Sequence, residues 1–401
     1  MKPINSSARG GKIRLCRVVT VPYTFRILLV EQLAEIVSRG IALTIVSSPG
    51  VELQQIAREL NIPFEPILMK RKPSPVADIL ALARLVRYYR RSNFDIVHSA
   101  TPKAGFLSML SGASAGIPVR MHTFTGQPWV ELTGLRRELP RRCDWVTARS
   151  ATACYADSFS QRDFLVKEGL VRPKMVQVLG YGSIGGVNIS RFSNRMWGGA
   201  HASRTRSQLG IGPLAKVICF VGRVTRDKGV VELVTAFERL SRMRNDLELL
   251  LVGPYEEEYD PLPAEIMRRI DENPRIRCTG YTNCPEKFLG ASDIFCLPSY
   301  REGFGSVAIE AAAMGLPAVV SRVTGLVDAV AENETGLFVA PKNVEGLERA
   351  LALLVDSEEL RHRLGAAGCL RAIANFDSKV VNATVVDEYH RLVHSEQYSN
   401  I

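Results

Sequence analysis

The chain has 401 residues, 46% hydrophobic and 23% charged, which exceeds one ordinary core and suits two domains of roughly 180–200 residues each. That composition excludes global disorder, and no apolar run reaches the ~18–20 residues that a membrane span needs. Net charge is +10 but uneven: residues 1–190 hold 26 Lys and Arg against 13 Asp and Glu, and the remainder holds 25 against 28.

From the N-terminus, residues 1–11 are polar and carry no apolar signal region. Residues 15–21 predict a strand, 27–38 a helix ending at Gly40, 42–47 a strand and 53–60 a helix. A helix over 79–91, a strand at 96–98, a helix over 102–115 and a strand at 119–123 follow. Val- and Ile-rich runs alternating with helical spacing indicate βαβ units and a parallel sheet covered on both faces. The stretch 181–200, rich in Gly, Ser and Asn, reads as an interdomain linker.

The pattern then restarts, with strands at 216–221, 247–252, 293–297 and 318–321 and helices over 230–242, 307–314, 346–354 and near 387–393. The expected fold class is α/β: two Rossmann-like, doubly wound parallel-sheet domains facing across a cleft, with the ligand at the carboxyl ends of the strands. The expected boundaries are 1–185 for the first domain, 186–200 for the linker and 201–380 for the second domain. Residues 381–401 form a terminal helix packing back toward the first domain.

Eight cysteines are present without a CxxC pair, and Cys219 and Cys296 sit inside apolar runs. Buried free thiols in a reducing, cytoplasmic setting fit better than disulfides or zinc.

Two segments carry the chemistry. Gly222-Arg223-Val224-Thr225-Arg226-Asp227-Lys228-Gly229 follows a strand and precedes a helix. Gly222 permits a close backbone approach, and Arg223 and Lys228 bring two cations into one loop, as a diphosphate needs. The same residues would also serve as an ordinary basic strand-to-helix turn. The second segment runs from Ser299 to Glu310 and includes Glu302-Gly303-Phe304-Gly305-Ser306-Val307. Gly303 and Gly305 open a helix whose free N–H groups at Ser306 and Val307 make an anion site. Glu310 lies one turn deeper on the face of Ser306 and can accept from a ribose diol, while Glu302 can reach a sugar hydroxyl. Otherwise Glu302 is a helix-start charge favoured by the dipole and Glu310 a solvated one.

Gly-Arg-x4-Lys-Gly followed by Glu-x7-Glu resembles the signature of retaining GT-B glycosyltransferases of family 4. Leu251-Val252-Gly253-Pro254, Ala311-Ala312-Ala313-Met314-Gly315-Leu316-Pro317 and Thr335-Gly336-Leu337 extend the resemblance over nearly the whole chain. It implies that residues 1–185 bind the acceptor and residues 201–380 the nucleotide sugar, with Gly222, Gly303, Phe304, Gly305, Ser306 and Val307 lining the donor site, Arg223 and Lys228 binding the donor diphosphate, Glu302 contacting the donor sugar and Glu310 holding the ribose. The first loop, Thr20-Val21-Pro22-Tyr23-Thr24-Phe25-Arg26, replaces the Gly-Gly loop of many members. With Asp95-Ile96-Val97-His98, Val119-Arg120-Met121-His122-Thr123 and Gly182–Asn188, it is similar to the subgroup that builds bacterial capsule, O-antigen and other surface polysaccharides. Asn188 stands where that subgroup has Asp. The resemblance makes His122 a candidate contact to the donor sugar or acceptor. His98, Thr24 and Arg26 are further candidates, and a satisfied structural histidine is the competing reading for both rings.

The implied reaction is retaining transfer of a hexose or N-acetylhexosamine from a UDP-sugar to a hydroxyl of a lipid-linked glycan. Closure of the two domains would exclude water. No Asp-x-Asp pair occurs, and cations with a helix start replace a metal, so no metal or other cofactor is expected. The basic first half suits an anionic membrane surface, through residues 77–91 and the arginines 136, 137, 141 and 142. A plainly soluble basic surface is the other reading. Nucleic acid fits less well because no aromatic platform interleaves the arginines. Two other functions share the pattern: a UDP-sugar 2-epimerase, and a non-catalytic nucleotide-sugar-binding protein.

Overall fold

The computed structural model describes residues 12–256 and 260–395; the polar N-terminal stretch 1–11 lies outside them. The chain divides into two compact units, Met1–Gly186 with Ser378–Ile401, and Val187–Asp377.

The first unit is built on β1 (Arg14–Val18), β2 (Ala42–Ser47), β3 (Phe64–Pro66), β4 (Ile96–Ala100), β5 (Val119–Phe124), β6 (Ala153–Ala156) and β7 (Val176–Val178). They form one parallel sheet in the order β3-β2-β1-β4-β5-β6-β7. Along β1 successive side chains serve opposite cores. Leu15 packs with Leu33, Ile36 and Tyr389 on one face, and Cys16 packs with Leu85, Tyr89 and Leu107 on the other. Both faces are covered, which is why the strands read as unbroken apolar runs.

The second unit holds β8 (Lys216–Val221), β9 (Leu247–Val252), β10 (Ile276–Cys278), β11 (Ile294–Leu297), β12 (Ala318–Ser321) and β13 (Gly336–Val339). These form a second parallel sheet, ordered β10-β9-β8-β11-β12-β13. In each sheet the order reverses once, between β1 and β4 and between β8 and β11. Such reversal points leave a crevice at the strands' carboxyl ends.

Several boundaries differ from expectation. The first helical stretch begins at Pro22 and passes through a π-helical segment, Phe25–Leu29, before the helix Val30–Ser38. Proline at the first helical position fits that early start. The stretch 186–200, expected as a linker, is packed into the second unit from Val187 onward. Val187 and Phe192 are buried, and Trp197 lies against Gly290, leaving no room there for a Cβ. The second unit closes at Asp377. The terminal helix starts at Ser378, runs to His394 and belongs to the first unit. Its Tyr389 hydroxyl meets His98 Nδ1 at 2.7 Å, and its Asn382 accepts from the Gln32 amide at 3.2 Å. All eight cysteines are free, with Cys16, Cys154, Cys219 and Cys296 buried.

Candidate active site

The reversal point of the second sheet gathers both motifs. The segment 222–229 follows β8, and 298–305 follows β11, the adjacent strand. Gly229 has φ +73, and a Cβ there would stand 2.0 Å from the Pro298 carbonyl oxygen. Only glycine lets the two loops come this close. The Lys228 ammonium donates to the Glu302 carboxylate at 2.5 Å, with both side chains under one-fifth exposed. Arg223 is one-third exposed and lies 3.8 Å from Asp227 and 3.7 Å from Glu256.

Helix Ser306–Ala313 starts from Gly305, whose φ of +84 is left-handed. A Cβ at Gly305 would fall 2.5 Å from Leu326 Cδ2. The first-turn N–H groups of Ser306 and Val307 have no acceptor within the helix. They give the start of the helix a partial positive charge.

Glu310 keeps some solvent exposure, yet its carboxyl is pushed up to about 8. Burial is the main cause and Glu286 adds to it, while Arg191 opposes both. Arg191 is itself paired with the buried Glu286 through two contacts of 2.9 Å. Asn188 Oδ1 accepts the Arg191 backbone N–H at 2.9 Å. An amide oxygen performs that turn-closing task as a carboxylate would, so Asn in place of Asp leaves the turn intact.

The cluster therefore joins Gly222, Arg223, Lys228, Glu302, Gly303, Gly305, Ser306 and Val307, with Glu310 on the same helix. Phe304 departs from its expected part in nucleotide-sugar binding. Its side chain is 2% exposed and packs against Phe376 with ring centroids 5.3 Å apart, so only its backbone faces the loop. Alternating inward and outward positions in so tight a turn make this burial the natural result.

Thr24, Arg26, His98 and His122 belong to the first unit. Arg26 is held by Glu59 at 2.8 and 2.9 Å, and Thr24 closes a turn through its N–H to Val21. His98 is buried with both ring nitrogens engaged, by Tyr389 at 2.7 Å and Thr123 at 2.8 Å. His122 is 1% exposed and bonds Ser99 through Nδ1 at 2.8 Å. Burial drives its ring down to about 3, so it is neutral at physiological pH. It is sealed beneath Gly105, where a Cβ would lie 2.3 Å from its Cε1. In this structure both histidines are satisfied core groups rather than open ligands.

Other residues were missed by sequence reasoning. Asp227 receives the Thr225 hydroxyl at 2.6 Å and Arg301 at 2.8 Å, and its carbonyl receives the Tyr300 N–H at 2.8 Å. Tyr300 donates to Glu232 at 2.7 Å. Asp227, Tyr300 and Arg301 stand inside the two segments but looked like spacers. Glu286 lay outside both. Among the described residues no group of three His, Cys, Asp or Glu is placed to hold a metal, and no helix is long and apolar enough to cross a membrane.

Two family models match, "Glycosyl transferases group 1" over residues 202–371 and "Glycosyl transferase 4-like domain" over residues 28–182. The chain belongs to the GT-B glycosyltransferases of family 4 and is a glycosyltransferase. It is 28% identical over 340 residues to the capsular polysaccharide biosynthesis glycosyltransferase CapM of Staphylococcus aureus, covering 84% of this chain and 86% of that one. It is 25% identical over 317 residues to the UDP-Gal:alpha-D-GlcNAc-diphosphoundecaprenol alpha-1,3-galactosyltransferase of Escherichia coli, covering 78% and 79%. The crystal structure of HepE from Anabaena in complex with UDP superposes with a TM-score of 0.77 at 18% identity, covering 95% of this chain and all of that one. That likeness establishes the fold.

Proposed function

We propose that the protein transfers a hexose or N-acetylhexosamine from a UDP-sugar to a hydroxyl of a lipid-linked glycan, in the synthesis of a surface polysaccharide. The observation that carries this reading is the junction of Lys228 with Glu302, beside Arg223 and the helix start at Ser306, at the reversal point of the second sheet. The diphosphate lies against Arg223, Lys228 and the N–H groups of Ser306 and Val307. The Glu310 carboxylate takes the ribose hydroxyls, and Glu302 takes a hydroxyl of the donor sugar. The UDP and UDP-glucose complexes of HepE support a UDP-linked donor. The diphosphoundecaprenol acceptor in the name of the E. coli relative supports a lipid-linked one.

In the reaction the bond from the sugar C1 to the diphosphate oxygen breaks. The acceptor oxygen bonds to C1 on the same face, and its proton leaves with the diphosphate. Configuration is retained with no covalent enzyme intermediate. Charge growing on the leaving group is met by fixed cations and N–H dipoles, which need no reorganisation as it develops. They do the work that a metal ion does elsewhere, so no metal is required.

The acceptor's lipid draws the enzyme to the inner face of the cytoplasmic membrane. Helices Pro75–Ser92 and Gly134–Ser150 both pack on helix Pro102–Ala115. They leave Leu135 88% and Leu139 64% exposed, with Val76, Ile79, Leu80 and Trp145 also open to solvent. Arg84, Arg87, Arg136, Arg142 and Arg149 are exposed on the same two helices. Apolar side chains among arginines suit an anionic lipid surface.

Lys228→Ala and Glu302→Ala test the site directly. Each variant is expected to lose roughly 10²–10³ in kcat, the usual loss for one charge-stabilising group, while its circular dichroism stays unchanged. Full transfer or donor hydrolysis in either variant, across a panel of UDP-sugars, would sink the assignment.

A further inference from the structure

We propose that Asp227 is a positioning residue that acts as a standing counter-charge for the donor cations and thereby sets how readily the nucleotide product leaves. The proposal rests on the diphosphate binding at this loop, as argued above.

Asp227 sits one residue before Lys228, at the centre of the junction between the two loops. Its Oδ1 accepts the Thr225 hydroxyl at 2.6 Å, which fixes the carboxylate's orientation. Its Oδ2 accepts from Arg301 at 2.8 Å and lies 3.8 Å from Arg223. Its side chain is only 13% exposed, so water screens these charges weakly. Burial alone raises its carboxyl, but the Thr225 bond and the charges of Arg301, Lys228 and Arg223 outweigh it and hold the group below the usual carboxylate range. It is therefore charged throughout the physiological range.

Arg301 and Arg223 thus share one carboxylate at the place where a diphosphate is expected, and the charge of Lys228, itself paired with Glu302, acts on it from farther away. While the nucleotide is bound, Arg223 and Lys228 divide their attraction between it and Asp227. Once the sugar has gone, UDP carries an extra negative charge and is held more strongly by the same cations. A permanent competitor in the loop weakens that grip. Product release limits turnover in many well-evolved enzymes, so the competitor raises kcat at the expense of ground-state affinity. The loop connection itself does not depend on this charge. It runs through the Asp227 backbone carbonyl, which takes the Tyr300 N–H at 2.8 Å and the Ser299 hydroxyl at 3.2 Å.

The experiment is UDP binding to the full chain by calorimetry, in wild type, Asp227→Asn, Asp227→Glu and Lys228→Ala. Asparagine keeps the Thr225 bond and the backbone links but removes the charge and, with Nδ2 in place of Oδ2, the acceptor for Arg301. The expected result is UDP bound about 10-fold more tightly by Asp227→Asn, with KM and kcat for donor hydrolysis both falling and kcat/KM not lowered. Asp227→Glu restores wild-type affinity. A purely structural role predicts the opposite sign, weaker UDP binding and a lower kcat/KM. Unchanged or weakened UDP binding by Asp227→Asn overturns the proposal. If that variant melts more than a few degrees lower, Asp227→Ser is read the same way. The two readings fail differently. Wild type that binds no UDP, or Lys228→Ala that binds it equally well, removes the donor site itself. A normal wild type and Lys228→Ala beside an unaffected Asp227→Asn removes only the counter-charge.

Discussion

Glu310 shows how one side chain connects fold, ionisation and ligand. Enclosure against its neighbours lifts its carboxyl to about 8, so at pH 7 most molecules carry a proton there. Ribose hydroxyls donate hydrogen bonds, which favour the carboxylate and draw its ionisation down on binding. Nucleotide affinity should therefore climb by up to ~10-fold between pH 6.5 and 8 and then level off, with a proton released on binding. Calorimetry in two buffers of different ionisation enthalpy measures that proton, and Glu310→Gln should abolish both effects. The same shift acts on stability. A carboxyl raised in the folded state favours folding fully below its unfolded value near 4.5, and that contribution is lost as pH rises through about 8. Glu310→Gln should accordingly raise the melting temperature more at pH 8 than at pH 5.5. The gain is on the order of 2 kcal/mol once partial exposure is allowed for. A flat affinity profile would remove Glu310 from the ribose.

At the scale of elements, the site depends on how two strand-to-helix turns are fitted together. A methyl group on Gly229 meets a carbonyl oxygen, not a flexible side chain, and the residue sits at φ +73. Gly229→Ala should cost roughly 2–3 kcal/mol in stability and most of the activity; retention of both would show that the loops can separate without consequence. Much of this level was legible from the sequence. Strands β2, β8, β9 and β12 and helices Pro102–Ala115 and Val230–Arg242 lie where periodicity placed them. So do the two glycine-framed turns, because glycine, charge and strand end mark them locally. Other elements left no such mark. Helix Gly134–Ser150 has an outward face of leucines and arginines, which obscures its apolar stripe. Strands β3, β7 and β10 are three residues each, too short for a period to register. Helix Glu358–Phe376 buries Arg361, Gly365 and Gly368 among Leu364, Ala372 and Phe376, so its apolar stripe is interrupted. The burial of three candidate site residues has one cause. Phe304 and the two histidines are polar or aromatic groups whose burial is decided by contacts distant in sequence. Asp227 matters because of Arg301, which is brought to it only by the pairing of β8 with β11.

For the molecule as a whole, surface and connectivity make separate predictions. If the open leucines of helix Gly134–Ser150 meet lipid, Leu135→Glu with Leu139→Glu should reduce cosedimentation with anionic vesicles at least ~5-fold and leave donor hydrolysis in solution intact. Equal sedimentation would show that these side chains do not touch the bilayer. Connectivity bears on stability. Val386, Tyr389 and Leu392 of the terminal helix share a core with Leu33 and Ile36, so a chain ending at Asp377 leaves that core open. Limited proteolysis of such a chain should degrade the first unit while the second resists. The helix that completes the first unit is also separated from the rest of that unit by the 191 residues of Val187–Asp377. On a ribosome adding ~5–20 residues per second, that is a delay of roughly 10–40 s. Throughout it the nascent first unit exposes an apolar face, while the second unit, contiguous in sequence, can already fold. The unit synthesised first is thus the one finished last, and the order in which the two units can close during translation follows from where one helix lies in the sequence.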